Sequence, residues 1–370
     1  MANAFNSYFS DVGNLLANSV SPTPNPISFE SFLGPSNPHS FYCSHVTATE
    51  LLNVVNGLKP SKSLVADCFF SSLLKGCISY IVQPLLFILN LSFDSGIFPD
   101  QLKISRVIPI YKKGSKSEMS NYRPISITNP IAKILEKLMN ARMLSFIERF
   151  HILYDFQFGF RKNYSTSIAV LDVVNMIQNE TYDGNFVLGV FMDLQKAFDT
   201  VNFDILLKKL ELYGFRGHCH DWLRSYLTNR TQFTVVNGHS SSTSTITCGV
   251  PQGTVLGPLL FLLYINDIPN SVKHSLTKLF ADDSNLFIIS NSLRNLFDTA
   301  NIELSNLTQW IYANKLYINY AKTNYMLFCP KLKPVSSYDL ASAPNLLFNG
   351  QNIERVRVVK YLGVFACSRC

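Results

Sequence analysis

This chain is short of charge, of metal-binding cysteine patterns and of long apolar runs. Only 15% of its 370 residues are Asp, Glu, Lys or Arg, against 47% apolar. That balance excludes a basic disordered tail and describes a packed globular protein, long enough for about two or three lobes. Its cysteines are Cys43, Cys68, Cys77, Cys219, Cys248, Cys329, Cys367 and Cys370, and no early pair has metal spacing. Cys367-Ser368-Arg369-Cys370 has CxxC spacing, but no second pair answers it and zinc needs more ligands. With no secretory signal, the expectation is a reduced thiol set in an intracellular protein, cytoplasmic and nuclear, not secreted. No apolar run reaches the roughly 20 residues of a membrane span. Val255–Ile265 carries Gly257 and Pro258, and Ile81–Phe93 is interrupted by Gln83, Pro84 and Asn90. No membrane partner is expected. There is no internal repeat. A net charge of +7 permits nucleic-acid binding without proving it.

What is present divides the chain. Residues 1–38 read as a loose Pro/Ser/Asn-rich arm, with Pro22, Pro24, Pro26, Pro35 and Pro38 as its markers. Residues 39–100 read as a helical extension. A helix starts at Thr47, with Glu50 completing a capping box, and a longer apolar helix spans about Phe69–Phe93. Asn129-Pro130 opens a helix with Ile131, Ile134, Leu135 and Leu138 on one face. Another runs from Ser165 or Thr166 to about Asn179. Asn237-Gly238 marks a hairpin.

The chemistry concentrates in three segments. Phe280-Ala281-Asp282-Asp283 lies between Thr277–Phe280 and Leu286–Ile289, which reads as strand, tight turn, strand with the acids at the tip. Adjacent like charges in an apolar setting are costly unless a cation neutralises them. A divalent metal suits hard oxygen ligands. Taken alone, Asp-Asp-Ser-Asn equally suits a solvated turn. Upstream, the stretch from Asn185 is continuously apolar from Phe186 to Met192 and ends in Asp193, as fits a strand buried on both faces. Acids on two neighbouring strands can hold two metals about 3.5–4 Å apart, which clamps attacking and leaving oxygens in phosphoryl transfer. Asp199 and Asp204 read as a loop acid and a first-turn helix acid. Between these segments, the Gly- and Pro-rich stretch Gly249–Pro258 precedes a helix over Leu259–Ile265. By itself it is an ordinary loop as readily as a ligand cradle. The order of strand acid, Gly-rich loop and acid hairpin decides between these readings.

The ordered series resembles the motifs of reverse transcriptases, specifically the non-LTR (LINE-type, jockey-like) retrotransposon enzymes. Phe191–Asp199 is similar to the first catalytic motif, Val250–Pro258 to the template- and nucleotide-contacting loop, and Phe280–Asp283 to the catalytic hairpin. Asn121–Ser126 and Phe158–Thr166 resemble the fingers motifs, Trp310–Phe328 the next palm motif, and Lys360–Gly363 the primer-grip element. One departure is the segment after Lys62-Ser63. The family's glycine-bearing turn is replaced there by Leu64-Val65-Ala66-Asp67-Cys68.

The resemblance implies an α+β right-hand polymerase fold of fingers (about 101–184) and palm (about 185–365), with a helical N-terminal extension and the thumb largely missing. It implies template-directed addition of deoxynucleoside triphosphates to a primer 3′-hydroxyl. The partners are an RNA template and a DNA primer or nicked target DNA. Asp193, Asp282 and Asp283, with the Leu194 carbonyl, would hold two Mg²⁺ ions, with Mn²⁺ as a possible substitute. Arg123, Arg161, Lys162, Phe198, Gln252 and Lys322 would bind the nucleotide. Of these, the resemblance implies that Phe198 would be the sugar gate and that Lys322 would protonate or bind pyrophosphate. Tyr361, Leu362 and Gly363 would grip the primer. Protein partners are not specified. The competing reading is a truncated, inactive remnant that retains only nucleic-acid binding. An RNA-templated RNA polymerase shares the metal logic, but Phe198 argues against it.

Overall fold

The apolar run that ends at Asp193 becomes a strand with helices over both faces. It organises one of the two compact units of the computed structural model, which describes residues 1–19, 27–59, 71–331, 333, 335 and 343–368. The first unit comprises Met1–Ser21, Pro35–Ile152 and Phe198–Tyr264. The second comprises Pro22–Gly34, Leu153–Ala197 and Ile265–Cys370. Each unit gathers segments far apart in sequence. The content is mixed α/β. In chain order the helices are α1 (Ala2–Ser19), α2 (Ala48–Asn56), α3 (Ser71–Ser95), α4 (Pro130–Arg149), α5 (Thr166–Tyr182), α6 (Phe203–Leu212), α7 (His218–Leu227), α8 (Gly257–Ile265) and α9 (Leu293–Ala313). The strands are β1 (Ile104–Tyr111), β2 (Tyr122–Ile127), β3 (Phe186–Asp193), β4 (Thr231–Val236), β5 (His239–Ser240), β6 (Ser244–Thr245), β7 (Ser275–Phe280), β8 (Asp283–Ser290), β9 (Asn324–Phe328), β10 (Leu347–Phe348), β11 (Gln351–Asn352), β12 (Glu354–Arg355), β13 (Val358–Tyr361) and β14 (Val364–Cys367).

In the first unit β1 pairs antiparallel with β2 and parallel with β4, and β4 carries β5 and β6 at its edges. Asn237 and Gly238, both at positive φ, make the expected hairpin turn between β4 and β5. Asn129 caps α4 by accepting the Ile131 N–H, and Pro130 follows as its first residue. Thr47 caps α2 as expected, while the carboxylate of Glu50 takes both Nη atoms of Arg142 on α4 at 2.6 and 2.8 Å.

Three expectations need correction here. The first nineteen residues are not a loose arm, because α1 docks on the sheet. Phe5 and Phe9, one helical turn apart, are buried with Val107. Buried Asn6 donates to the Ser242 carbonyl and the Ser244 hydroxyl, and accepts from Gln232 and Thr234. The prolines that suggested an arm come later in the chain. Next, α3 is one helix of 25 residues, long and apolar enough by length and composition to cross a membrane. Gln83, Pro84 and Asn90 do not end it, and Leu74, Ile78, Leu85, Leu89 and Phe93 are buried within the unit. Phe93 and Phe98 meet Trp222 of α7 at 5.6 and 5.3 Å between ring centroids. Lastly, Cys43, Cys77, Cys219, Cys248 and Cys367 carry free thiols, but Cys329 is disulfide-bonded and departs from the expected reduced set. The departure from the family pattern after Lys62-Ser63 and the terminal Cys370 lie outside the described residues.

In the second unit the sheet order is β12-β9-β3-β8-β7. β3 is antiparallel to both neighbours, and Phe186–Met192 are all buried. Side chains alternate across a sheet, and each face of β3 has its own cover. Phe191 meets Phe287 and Tyr361, and Val173 of α5 joins this cluster. On the opposite face Tyr325, paired with Val190, meets Phe297 of α9 at 6.0 Å. The continuous apolar run follows from this double cover rather than from parallel pairing.

The docking of α1 is testable. Asn6→Ala strands two buried polar partners, Gln232 and Thr234, and an unsatisfied buried group costs about 1–3 kcal/mol. Urea unfolding should show a loss of about 2 kcal/mol or more; an unchanged midpoint would mean that α1 does not hold to the sheet.

Candidate active site

In the second unit, the register of β3 against β8 places Asp193 directly opposite Asp283. Opposed residues of an antiparallel pair project from the same face, so these carboxylates share one side of the sheet. Phe280 pairs with Asp283, which leaves Ala281 and Asp282 as a two-residue turn between β7 and β8. The expected hairpin is present, with Asp282 at the tip and Asp283 as the first residue of β8. Ala281 has φ +54°. Positive φ at the first turn position only is the type II′ pattern, where glycine is preferred. Strain of this kind costs roughly 1–3 kcal/mol and persists only where neighbours impose it.

Those neighbours come from the segment before α5. The Gln157 side-chain oxygen accepts the N–H groups of Gly159 at 2.9 Å and of Ala281 at 3.0 Å. Gln157 was not singled out by sequence reasoning, although it directly precedes the motif at Phe158. Arg161, expected to meet phosphate, donates through Nη1 to the carbonyls of Tyr154 and Gln157 at 3.1 and 3.2 Å, and its guanidinium lies 4.3 Å from the Tyr164 ring centroid. Lys162 is exposed.

The end of β3 is strapped to the segment after α9. The Asn319 N–H donates to the Asp193 carbonyl, and the Gln195 N–H donates to the Tyr317 carbonyl. Backbone groups alternate along a strand, so Leu194, the residue that bridges Ile318, turns its carbonyl away from that segment. Lys322 Nζ and Asn319 Nδ2 both donate to Asp193 Oδ2, at 2.7 and 3.0 Å. The cation that neutralises Asp193 here is thus a lysine ammonium. Asn319 lies within the Trp310–Phe328 segment, where the resemblance attaches no role to it. Tyr361 is a core residue packed on Phe191. Burial raises its phenol above the ordinary range, and the carboxylates of Asp283 and Asp172 add to this. Leu362, half-buried against the core, and exposed Gly363, both at positive φ, form the turn between β13 and β14.

Arg123, Phe198 and Gln252 belong to the first unit. Arg123 is an exposed residue of β2 opposite Ile110. The half-buried ring of Phe198 stacks on Phe261 of α8, with centroids 4.4 Å apart. Gln252 donates through Nε2 to Asp199 Oδ1 at 2.8 Å, which fixes the orientation of its amide. Its carbonyl accepts the Ser126 N–H at 2.7 Å. Asp199, read from sequence as a loop acid, therefore orients a loop residue. A Cβ at Gly249 would stand 2.7 Å from the Asp199 carbonyl oxygen, so only glycine allows this approach. Past the glycines, the fully buried Glu136 of α4 accepts the N–H groups of Val255 and Leu256 at 2.6 and 3.3 Å. Burial raises its carboxyl above the ordinary value, against the opposing pull of Arg230 and the two backbone donors.

The donor set of the second unit suits a hard, oxygen-seeking cation: carboxylates of Asp193 and Asp283 on one face, Asp282 in the adjoining turn, and a backbone carbonyl. Among the described residues, no group of three or more His, Cys, Asp or Glu side chains forms a closed metal cluster. Hard divalent cations can be held by an open shell of one or two carboxylates completed by substrate phosphates, so these residues fit a divalent cation.

The chain matches the family described as reverse transcriptase (RNA-dependent DNA polymerase) over residues 110–365. It is similar to the RNA-directed DNA polymerase from mobile element jockey of Drosophila melanogaster, at 30% identity over 331 residues covering 87% of this chain and 35% of the relative. The probable RNA-directed DNA polymerase from transposon BS of the same species is 30% identical over 328 residues, covering 86% and 35%. The jockey polymerase of Drosophila funebris is 27% identical over 329 residues, covering 86% and 35%. The chain thus spans about a third of the length of these curated relatives. The resemblance to non-LTR enzymes read from the motifs agrees with them.

The raised Glu136 carboxyl gives a pH prediction. The folded state holds this proton to higher pH than the unfolded chain does, so its contribution to stability is full below the unfolded value of 4.5 and is lost as pH rises through the folded value. Glu136→Gln removes the titration while keeping an acceptor. Its stability relative to the native protein should rise as pH increases from 4.5, measured by urea midpoints. A constant difference across that range would place no titrating carboxyl at this site.

Proposed function

As the chain belongs to the reverse transcriptase (RNA-dependent DNA polymerase) family, we propose that it copies RNA into DNA by template-directed addition of deoxynucleotides to a primer 3′-hydroxyl. The observation that carries this is the in-register pairing of Asp193 with Asp283, with Asp282 in the turn beside them. The retained acids and Gly-rich loop give the inactive-remnant reading no support. In this reading the chain forms the fingers (about 101–184) and palm (about 185–365) of a right-hand polymerase, preceded by the helices of residues 39–100, and works inside the cell.

Asp193, Asp282, Asp283 and the Leu194 carbonyl would hold Mg²⁺, with Mn²⁺ as a substitute. When bound, such ions lower the pKa of the attacking hydroxyl and neutralise charge on the leaving pyrophosphate. Lys322, paired with Asp193 here at 2.7 Å, would offer its ammonium to the pyrophosphate as donor or acid. Gln252, with its Nε2 held by Asp199, presents its other amide atom toward the nascent pair. Arg123, Arg161 and Lys162 supply cationic groups for triphosphate and template backbone. Phe198, backed by Phe261, is a ring stiff enough to exclude a 2′-hydroxyl. Tyr361 anchors the hairpin whose Leu362-Gly363 turn meets the primer.

Primer extension on an RNA template, with and without Mg²⁺, tests the reading. Asp193→Asn or Asp282→Asn should lower nucleotide addition by about a thousandfold, as expected from losing roughly 4 kcal/mol of metal-supplied stabilisation. Template binding should remain nearly intact, and extension at the native rate by either variant would remove these acids from the chemistry.

Sugar selection is a separate test. Phe198→Val should raise ribonucleotide incorporation relative to deoxyribonucleotide incorporation by about tenfold or more, the effect of about 1.4 kcal/mol. An unchanged ratio in a folded, active variant would return Phe198 to the core.

A further inference from the structure

We propose that Gln157 is a positioning residue of the active site: its side-chain oxygen clamps the Ala281 peptide and thereby sets where Asp282 stands. The inference rests on the proposed role of Asp282. Gln157 is 1% exposed and Ala281 3% exposed, so their bond is shielded from water. One oxygen takes two backbone N–H groups, that of Gly159 and that of Ala281. The Ala281 N–H lies in the turn, beyond the last ladder pair Phe280–Asp283, so the hairpin itself offers it no strand partner. A buried N–H must find an acceptor, and Gln157 supplies it.

The surrounding backbone fixes this geometry. Gln157 bridges Leu279 in parallel. The Phe158 N–H donates to the Leu279 carbonyl at 2.8 Å, and the Leu279 N–H donates to the Phe156 carbonyl at 3.0 Å. A Cβ at Gly159 would stand 2.4 Å from the Ala281 nitrogen, so a glycine is required for the two segments to lie this close. Arg161 Nη1 in turn holds the Gln157 carbonyl at 3.2 Å. Lys278, one strand position earlier than Leu279, pairs with Asp172 of α5 at 2.7 Å and ties the same strand from its other side. Ala281 is therefore kept at a φ that its side chain disfavours. Asp282 follows directly, its backbone held between the clamped peptide and the β8 ladder.

The test compares the native chain with Gln157→Met, Gln157→Glu and Gln157→Met/Ala281→Gly. Methionine preserves length and apolar packing but accepts no such bond; glutamate keeps an acceptor oxygen. Hydrogen exchange at the Ala281 amide reports the clamp without any catalysis. It should accelerate at least about tenfold in Gln157→Met, by the loss of one buried hydrogen bond. Exchange at Leu286 in the ladder should stay within about twofold, and Gln157→Glu should retain the protection of Ala281. In single-turnover extension with Mg²⁺, Gln157→Met should slow nucleotide addition about 10- to 100-fold, with nucleotide affinity within about twofold of native. Ala281→Gly in the same chain should restore much of that rate, because glycine adopts the turn without being held. Native exchange at Ala281 in Gln157→Met, a native rate, or a loss that glycine does not relieve would each overturn the clamp. Asp282→Asn run alongside separates the two ideas: if it extends normally while Ala281 exchange responds as expected, the clamp stands and the role of Asp282 falls.

Discussion

The antiparallel pairing of β3 with β8 is the constraint on which the site depends. It puts Asp193 opposite Asp283, and its register is not free to drift. A slip of one residue would turn every side chain of β3 to the other face. Phe191 would leave Phe287 and Tyr361, and Val190 would leave the α9 side. Because both faces of β3 are covered, either direction of slip buries the wrong shape. The apolar packing along Phe186–Met192 thus holds the acids in line at the strand end, where the cover stops and a carboxylate can reach solvent and ligands.

A second device recurs around this frame. Turns and loops are held by single buried oxygens that each take neighbouring backbone N–H groups. Gln157 takes Gly159 and Ala281; Glu136 takes Val255 and Leu256; Glu303 takes Lys273 and His274, together with the Ser275 hydroxyl. Charge-assisted or shielded acceptors of this type are stronger than solvated ones. They permit abrupt changes of chain direction, such as the Ala281 turn and the loop into α8, without leaving buried donors unpaired. The cost is visible at Glu136, whose burial raises its carboxyl although two donors and Arg230 oppose the shift.

Much of this was legible in the sequence where the signal is local. The cap at Asn129, the Asn237-Gly238 turn, the acid hairpin and the doubly buried strand each follow from a short pattern with one physical cause. The errors arose where tertiary packing overrides a local cue. Prolines after residue 20 suggested an arm, whereas Phe5, Asn6 and Phe9 had the spacing of a docked helix face. Gln83, Pro84 and Asn90 suggested an apolar run too short and interrupted to span a membrane, but the expected helix runs through them for 25 residues. The connections of Gln157 and Glu136 had no local signature, since a buried acceptor is defined by donors that are distant in sequence: 124 residues away for Ala281 and 119 for Val255.

The same distinction separates two kinds of residue inside one motif. Arg161 and Gly159 fall in a stretch whose resemblance suggests contact with phosphate. Here Gly159 makes room for the Ala281 peptide, and one arm of Arg161 binds carbonyls of its own loop. Tyr361, in the stretch resembling a primer grip, is packed in the core, whereas Gly363 in the turn after it is exposed. A residue can recur in a motif because a ligand touches it or because the backbone beside the ligand needs it, and pattern alone does not separate these. Burial and hydrogen bonding do. A fully shielded acceptor such as Gln157 acts through the peptide it holds, whereas a half-exposed acid such as Asp193 at a strand end can meet substrate directly.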